Sequence, residues 1–165
     1  MTTARRKRKP NPTRFAMACV AAAFVALGPV AHASLTGRIV VDWHSGLAIG
    51  GYDPVAYFTD HKAVIGSGNF ELSYSGVVWR FCNSGNRAAF AERPDVYMPQ
   101  YGGYDPVSVA HGLAVAGNPN VWAVVGERLF LFYSVAQRHT FLSDPTRFIA
   151  ESKRKWPAVM SGLNP

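Results

Sequence analysis

The chain has 165 residues and a formal net charge of +7 at neutral pH, from 17 basic and 10 acidic residues. Six basic residues and no acidic ones lie in positions 1–33, so residues 34–165 carry eleven basic and ten acidic side chains, a formal charge of +1. This balance excludes the broad basic surface that is typical of a nucleic-acid-binding domain, and we expect no nucleic-acid partner.

Residues 1–33 have the pattern of a secretory signal peptide. A basic segment precedes an uncharged apolar stretch, Phe15 to Leu27, and Ala31-His32-Ala33 offers the small residues of a cleavage site. The apolar stretch is shorter than the roughly 20 residues that a transmembrane helix needs, and no later apolar stretch approaches that length. We therefore expect cleavage after Ala33, no membrane span afterwards and a periplasmic or secreted protein. The alternatives are a retained N-terminal anchor and a lipoprotein site at Cys19.

Cysteine usage limits the kind of fold that the mature chain can have. The sequence has two cysteines, Cys19 and Cys82, and Cys19 would leave with the leader. Cys82 then has no intramolecular partner, which excludes a disulfide framework.

An internal repeat is the clearest feature after the leader. Gly50-Gly51-Tyr52-Asp53-Pro54-Val55 recurs as Gly102-Gly103-Tyr104-Asp105-Pro106-Val107, and the correspondence continues at offsets of 50 or 51 as far as Phe148. Each copy alone offers too little apolar surface to be stable, so we expect the two to share a core as one pseudo-symmetric domain. The predicted organisation is a linker over 34–45, a domain over 46–157 with copies 46–98 and 99–157, and a tail over 158–165.

Each copy is predicted to contain a turn, an extended segment, a β-hairpin and a short helix, which gives an α+β fold class. The Gly-Gly-Tyr-Asp-Pro box has turn residues, and alternating apolar side chains indicate the hairpin strands. Ser84 and Ser134 are predicted helix N-caps, and Asp144-Pro145 begins a last helix that reaches about Trp156. The predicted segments are extended Val55–Phe58, strands Phe70–Tyr74, Val77–Cys82, Val121–Val125 and Arg128–Tyr133, and helices Arg87–Glu92 and Arg138–Ser143.

Several of these residues resemble a known family, the YHS domain, which is related to the cysteine-rich TRASH domains. The resemblance rests on Asp53-Pro54-Val55, Trp79-Arg80-Phe81-Cys82-Asn83-Ser84 and Asn86-Arg87, followed by Phe90, Pro94 and Tyr97. The fuller runs Gly51 to Phe58, Pro99 to Tyr104 and Lys155-Trp156-Pro157 resemble the exported YHS-domain proteins of bacteria. The resemblance covers nearly all of residues 46–157 and implies binding or handling of a transition metal, of the copper type, in the cell envelope.

The resemblance also says where metal ligands would lie. The metal-binding version of the family has three cysteines, at the positions that Ala56, Cys82 and Asn86 occupy here, and the second copy has Ser108, Tyr133 and Gln137 there. A soft ion such as Cu(I) needs two or more sulfur or nitrogen donors, so one thiolate is not enough. The candidate ligands are Cys82, His61, His111 and Met98, and further donors are His44, His139 and Met160.

A second candidate site is a pocket lined by aromatic rings and carboxylates. Its predicted members come from the two repeat boxes and the segments beside them: Tyr52, Asp53, Tyr57, Tyr101, Tyr104 and Asp105. The alternative is structural, since buried tyrosines close a core with their hydroxyls on backbone partners, and an aspartate before proline caps a turn.

No catalytic residues are predicted, because the sequence has no nucleophile elbow, phosphate-binding loop or HExxH motif. Three functions stay open in this order: an envelope metal-binding protein, a non-catalytic module for a small ligand or an envelope protein partner, and an enzyme of unrecognised type. The cofactor that the first would use is copper or another transition metal.

Overall fold

The structure is a computed structural model that describes residues 35–163 together with Met1. The predicted leader, its cleavage site and Cys19 lie outside the described residues. The described residues contain helices and two antiparallel two-stranded sheets, which confirms the α+β class. Among them, no helix combines the length and the apolar character that crossing a membrane requires.

The two copies of the repeat contain matching elements in the same order. The first copy contains α1 (Ala56–Thr59), β1 (Ser67–Tyr74), β2 (Val77–Phe81), α2 (Ser84–Glu92) and α3 (Pro94–Tyr97). The second contains α4 (Pro106–Ala110), β3 (Asn118–Val125), β4 (Arg128–Phe132), α5 (Val135–Ser143) and α6 (Pro145–Ser161). Short 3-10 turns lie at Leu35–Arg38, Ile49–Gly51 and Gln100–Gly103.

The two hairpins have the same irregularities at equivalent positions. The β1–β2 register shifts between Ser67 and Glu71, and the β3–β4 register shifts between Asn118 and Trp122. Each hairpin closes on two residues with positive φ, Ser75-Gly76 in the first and Gly126-Glu127 in the second. Two such residues are typical of the turn that matches the natural twist of a two-stranded ribbon.

The extended segment predicted over Val55–Phe58 is wrong, because the chain forms helix α1 there. Asp53 Oδ1 accepts hydrogen bonds from the backbone N–H groups of Val55 (2.8 Å) and Ala56 (3.4 Å), as a helix-capping aspartate does. These bonds satisfy N–H groups that have no partner inside the helix, and they outweigh the β propensity of the Val-Ala-Tyr-Phe stretch.

The helix caps are mostly where the sequence places them. Ser134 caps α5 and Asp144 caps α6, as predicted, and α6 continues past Trp156 to Ser161. In the first copy, however, Asn83 rather than Ser84 is the cap, and its side chain accepts from Asn86 N–H at 2.8 Å. Asn83 and Ser134 are 51 residues apart, so this correction makes the spacing of the helices equal to that of the hairpins.

The β3–β4 hairpin lies between two apolar clusters and belongs to both. Phe130 and Phe132 pack with the second copy, whereas Leu129 and Leu131 pack with the core of the first copy. On β2 only one face is fully buried, and it carries Val77, Trp79 and Phe81, as their alternation predicts. The second copy therefore completes the core of the first.

Candidate functional site

Asp53 and Asp105 hold the repeat boxes against the ends of the two hairpins. Both side chains are fully buried. Asp53 Oδ2 accepts from the backbone N–H of Cys82, and Asp105 Oδ2 accepts from that of Tyr133, each at 2.8 Å. Asp105 Oδ1 caps α4 by accepting from Ser108 N–H at 2.8 Å, and Asp53 Oδ1 accepts from Val55 N–H at 2.8 Å, directly before α1. Both carboxylates thus have a complete structural role.

Cys82 lies at the end of β2 in a polar network with two asparagines. Its Sγ accepts from Nδ2 of Asn83 at 3.2 Å and from Nδ2 of Asn86 at 3.3 Å, and Asn86 Nδ2 also donates to Asp53 Oδ2 at 2.7 Å. Two positions that the YHS resemblance gives to metal ligands, 82 and 86, are therefore in contact. Position 56 is an alanine whose N–H points to the same carboxylate.

The charge state of Cys82 disfavours metal binding at this network. Burial, together with the nearby carboxylates of Asp53 and Asp60, raises the pKa of the Cys82 thiol to about 11. The thiolate is the form that binds metals, and at neutral pH this side chain is the neutral thiol. Of the three positions that the YHS resemblance gives to cysteines, only position 82 carries a thiol, and its neighbours are amides.

The other candidate metal ligands, His61, His111 and Met98, lie in a turn, at the end of a helix and against an apolar cluster. His111 follows α4, and its Nδ1 lies 2.7 Å from the carbonyl oxygen of Val107. His61 occupies a turn with positive φ just after α1. Met98 packs against the first apolar cluster. Within residues 35–163, no group of three or more histidine, cysteine and acidic side chains is arranged to hold a metal ion.

The candidate pocket tyrosines instead tie distant segments together through their hydroxyls. Tyr57 OH donates to the carbonyl oxygen of Pro119 at 2.9 Å, and Tyr52 OH accepts from Asn120 Nδ2 at 2.8 Å. These bonds join the first copy to β3 of the second. Burial raises the pKa of Tyr57, which keeps its hydroxyl protonated as a donor.

Tyr101 and Tyr104 also bond through their hydroxyls to segments that are distant in the sequence. Tyr101 OH donates to the carbonyl oxygen of Ile149 at 3.3 Å, and Tyr104 OH donates to that of Gly37 at 3.0 Å. Burial raises the pKa of both phenols. All four hydroxyls are thus engaged within the fold.

An open cleft lies where the two copies meet, and we call it the junction cleft. Its volume is about 210 Å³. It is formed by the N-terminal segment, the turn of the first hairpin, the connection between the copies and the last turns of α6. The lining residues are Arg38, Ile39, Ser75, Trp79, Met98, Pro99, Gly102, Trp156 and Met160. Of the candidate site residues from the sequence, Met98 is among them, and so is Met160, which was predicted as a further metal donor.

The two indole rings of the junction cleft are held by their neighbours. Trp79 Nε1 donates to the carbonyl oxygen of Tyr74 at 3.2 Å, and its ring packs on Phe90 with centroids 5.0 Å apart. Trp156 packs on Tyr101 at 5.6 Å and on Tyr104 at 5.9 Å. The tyrosines proposed as pocket residues therefore support one wall of the junction cleft from behind.

The floor of the junction cleft depends on a glycine. Gly102 has φ +62, and its carbonyl oxygen accepts from Val40 N–H at 2.8 Å. A Cβ at this position would overlap the carbonyl oxygen of Arg38. Close contact between the N-terminal segment and the connection therefore requires a residue without a side chain.

No family model, no curated protein and no solved structure matches this chain. Any proposal about the function therefore rests on the geometry and chemistry of the site itself.

Proposed function

We propose that the protein is a non-catalytic binding module of the exported YHS type and that its ligand site is the junction cleft. The observation that carries this proposal is the lining itself, in which the indole of Trp156 and the thioethers of Met98 and Met160 surround one open cavity. Small-molecule sites are typically concave and apolar, with a few polar groups that fix the orientation of the ligand. Here Arg38 and Ser75 supply those groups.

The chemistry of the lining supports binding rather than catalysis. None of the lining residues in the described part of the chain is a carboxylate, a histidine or a cysteine. General acid–base and nucleophilic catalysis draw mainly on those groups, and Ser75 has none of them beside it in the lining to activate its hydroxyl. A ligand that enters the junction cleft would be held and not transformed.

The volume of the junction cleft limits the size of its ligand. About 210 Å³ lies below the roughly 300–1,000 Å³ of pockets that enclose drug-sized molecules. The ligand that fits is one fused ring system or a short apolar chain. Because the partly exposed ring of Trp156 lines the cavity, a flat aromatic ligand gains the most from offset or edge-to-face packing.

We expect 2-naphthamide, a neutral flat probe, to bind the purified protein with 1:1 stoichiometry in isothermal titration calorimetry. Trp156→Ala removes one aromatic wall and should weaken binding about tenfold, the order of one lost aromatic contact together with its buried area. Met160→Gln places a polar group in the same wall without shortening the side chain, and it should weaken binding in the same direction.

Trp43→Ala is the matched control, because Trp43 is exposed and does not line the junction cleft. Its affinity for the probe should equal that of the unaltered protein. Binding that is not saturable, or equal affinities for all four proteins, would overturn the proposal.

A copper-handling role in the cell envelope is the second candidate function. The observation that favours it is that Met98 and Met160 both line the junction cleft, which brings two soft thioether donors into one cavity. Thioethers and thiolates are the side chains that select Cu(I). The positively charged Arg38 in the same lining works against a bound cation.

Titration with Cu(I) under reducing conditions tests this candidate. If copper binds in the junction cleft, the double variant Met98→Leu and Met160→Leu should lose stoichiometric binding, and Cys82→Ala should keep it. Loss in Cys82→Ala alone would assign the metal to the position that the YHS resemblance gives. Absence of stoichiometric binding by the unaltered protein would exclude both metal sites.

A further inference from the structure

We propose that the junction cleft selects a negatively charged ligand, a small aromatic carboxylate. This inference rests on the proposed function and names the ligand class of the same site. It follows from the charges around the cavity rather than from its apolar walls.

In the described part of the chain, the lining of the junction cleft includes one arginine, the exposed Arg38, and no acidic residue. Arg38 is the one charged residue among the lining residues of the described chain. Among residues 35–163, the ion pairs join Arg80 to Glu71 and Arg147 to Asp144, and neither involves Arg38. The cavity is therefore electropositive on the side of the N-terminal segment.

A second cation lies on α6, the helix that carries Trp156 and Met160. Lys153 is exposed on α6 and precedes Trp156 by three residues and Met160 by seven. Residues at these spacings share one face of an α-helix. Lys153 therefore lies one turn from the indole at the mouth of the cavity and adds to the positive potential that an entering ligand meets.

A carboxylate on an aromatic ring matches this arrangement better than the other small anions. Arginine binds a carboxylate through two parallel N–H···O bonds, and such charge-assisted bonds are about twice as strong as neutral ones. Inorganic phosphate or sulfate would meet the same charge but would leave the Trp156 indole and both thioethers without an apolar partner. The aromatic ring therefore supplies the apolar contact area, and the carboxylate fixes the orientation of the ligand.

Two probes of the same shape separate charge from shape. We expect 2-naphthoate to bind the purified protein about tenfold more tightly than 2-naphthamide at low ionic strength, the order of one charge-assisted pair. Arg38→Met should reduce this preference to about twofold or less and leave the affinity for 2-naphthamide unchanged. Added salt should weaken binding of the naphthoate and not of the amide.

Arg154→Met is the matched control, since Arg154 is exposed on α6 and does not line the junction cleft. It should keep the preference for the naphthoate. If Arg38→Met does not fold, Lys153→Met tests the same charge effect. It should reduce the preference for 2-naphthoate over 2-naphthamide by a smaller factor.

Equal affinities for the two probes would overturn the inference and leave the proposed function standing. A preference that survives in both Arg38→Met and Lys153→Met would also overturn it. If neither probe binds, both the inference and the proposed function fail.

Discussion

Replacing Gly102 with alanine should lower the free energy of unfolding by about 3 kcal/mol. Alanine at φ +62 costs about 1–2 kcal/mol in backbone strain, and loss of the bond from Val40 N–H costs about 1 kcal/mol more. The new methyl group would also push the Arg38 segment away from the connection between the copies. Urea unfolding followed by tryptophan fluorescence measures this change.

Gly126→Ala separates backbone strain from the lost contact. Gly126 also has a positive φ, +56, but a Cβ built there meets nothing within 4 Å. This variant should lose only about 1 kcal/mol, the cost of the conformation itself. Equal losses in Gly102→Ala and Gly126→Ala would contradict the packing of the N-terminal segment against Gly102.

Replacing Asp53 with alanine should be the most damaging single change, with a loss of about 4 kcal/mol. The buried carboxylate accepts from the backbone N–H groups of Val55 and Cys82 and from Asn86 Nδ2. Each buried donor that is left unpaired costs about 1–3 kcal/mol, and an alanine side chain accepts from none of them. Asp105→Ala should cost nearly as much, because Asp105 has the same role in the second copy.

Asp144→Ala is the matched control for both aspartates. Asp144 also accepts from a backbone N–H, that of Arg147, but it is exposed at the start of α6. Water can replace its bond, so this variant should lose about 1 kcal/mol, the usual cost of removing a helix cap. Losses of the same size at Asp53 and Asp144 would show that the Asp53 carboxylate is not the buried acceptor described above.

Local features were predictable from the sequence because local chemistry determines them. The alternation of Val77, Trp79 and Phe81 marks a strand with one buried face, and the structure buries those three side chains. Asp144-Pro145 marks a helix start. Helix α1 was missed, because the residues after Pro54 favour strands and the capping bonds of Asp53 Oδ1 appear only in the structure.

The junction cleft could not be predicted because its walls are far apart in the chain. Arg38 and Met160 are separated by nearly the whole described chain, and no periodicity links them. The candidate tyrosines could be found from the sequence, because they lie in or beside the repeat boxes. Their aromatic rings fit a ligand pocket and a packed core equally well, so the sequence did not distinguish the two. In the structure the hydroxyls of Tyr101 and Tyr104 donate to backbone carbonyl oxygens, and both rings pack on Trp156. These two tyrosines therefore help to pack the fold.

The YHS resemblance and the junction cleft point to different parts of the molecule. The resemblance gives metal ligands to the positions of Ala56, Cys82 and Asn86. The structure has one protonated thiol and a network of amides there. The junction cleft is built instead from the segments that connect and flank the two copies. The cavity arises from how the copies join, so it does not depend on cysteines at those three positions.

Ligand binding at the junction cleft is tested most directly by the indole N–H signals of the four tryptophans in ¹H–¹⁵N spectra, as 2-naphthoate is added. Trp156 lines the cavity and is partly exposed, and the fully buried Trp79 lies in the same wall, whereas Trp43 is exposed elsewhere and Trp122 packs on Tyr57. The signal of Trp156 should shift and saturate, that of Trp79 should shift less, and those of Trp43 and Trp122 should stay in place. Saturable shifts confined to Trp43 or Trp122, or no saturable shift at all, would contradict a ligand site at the junction cleft.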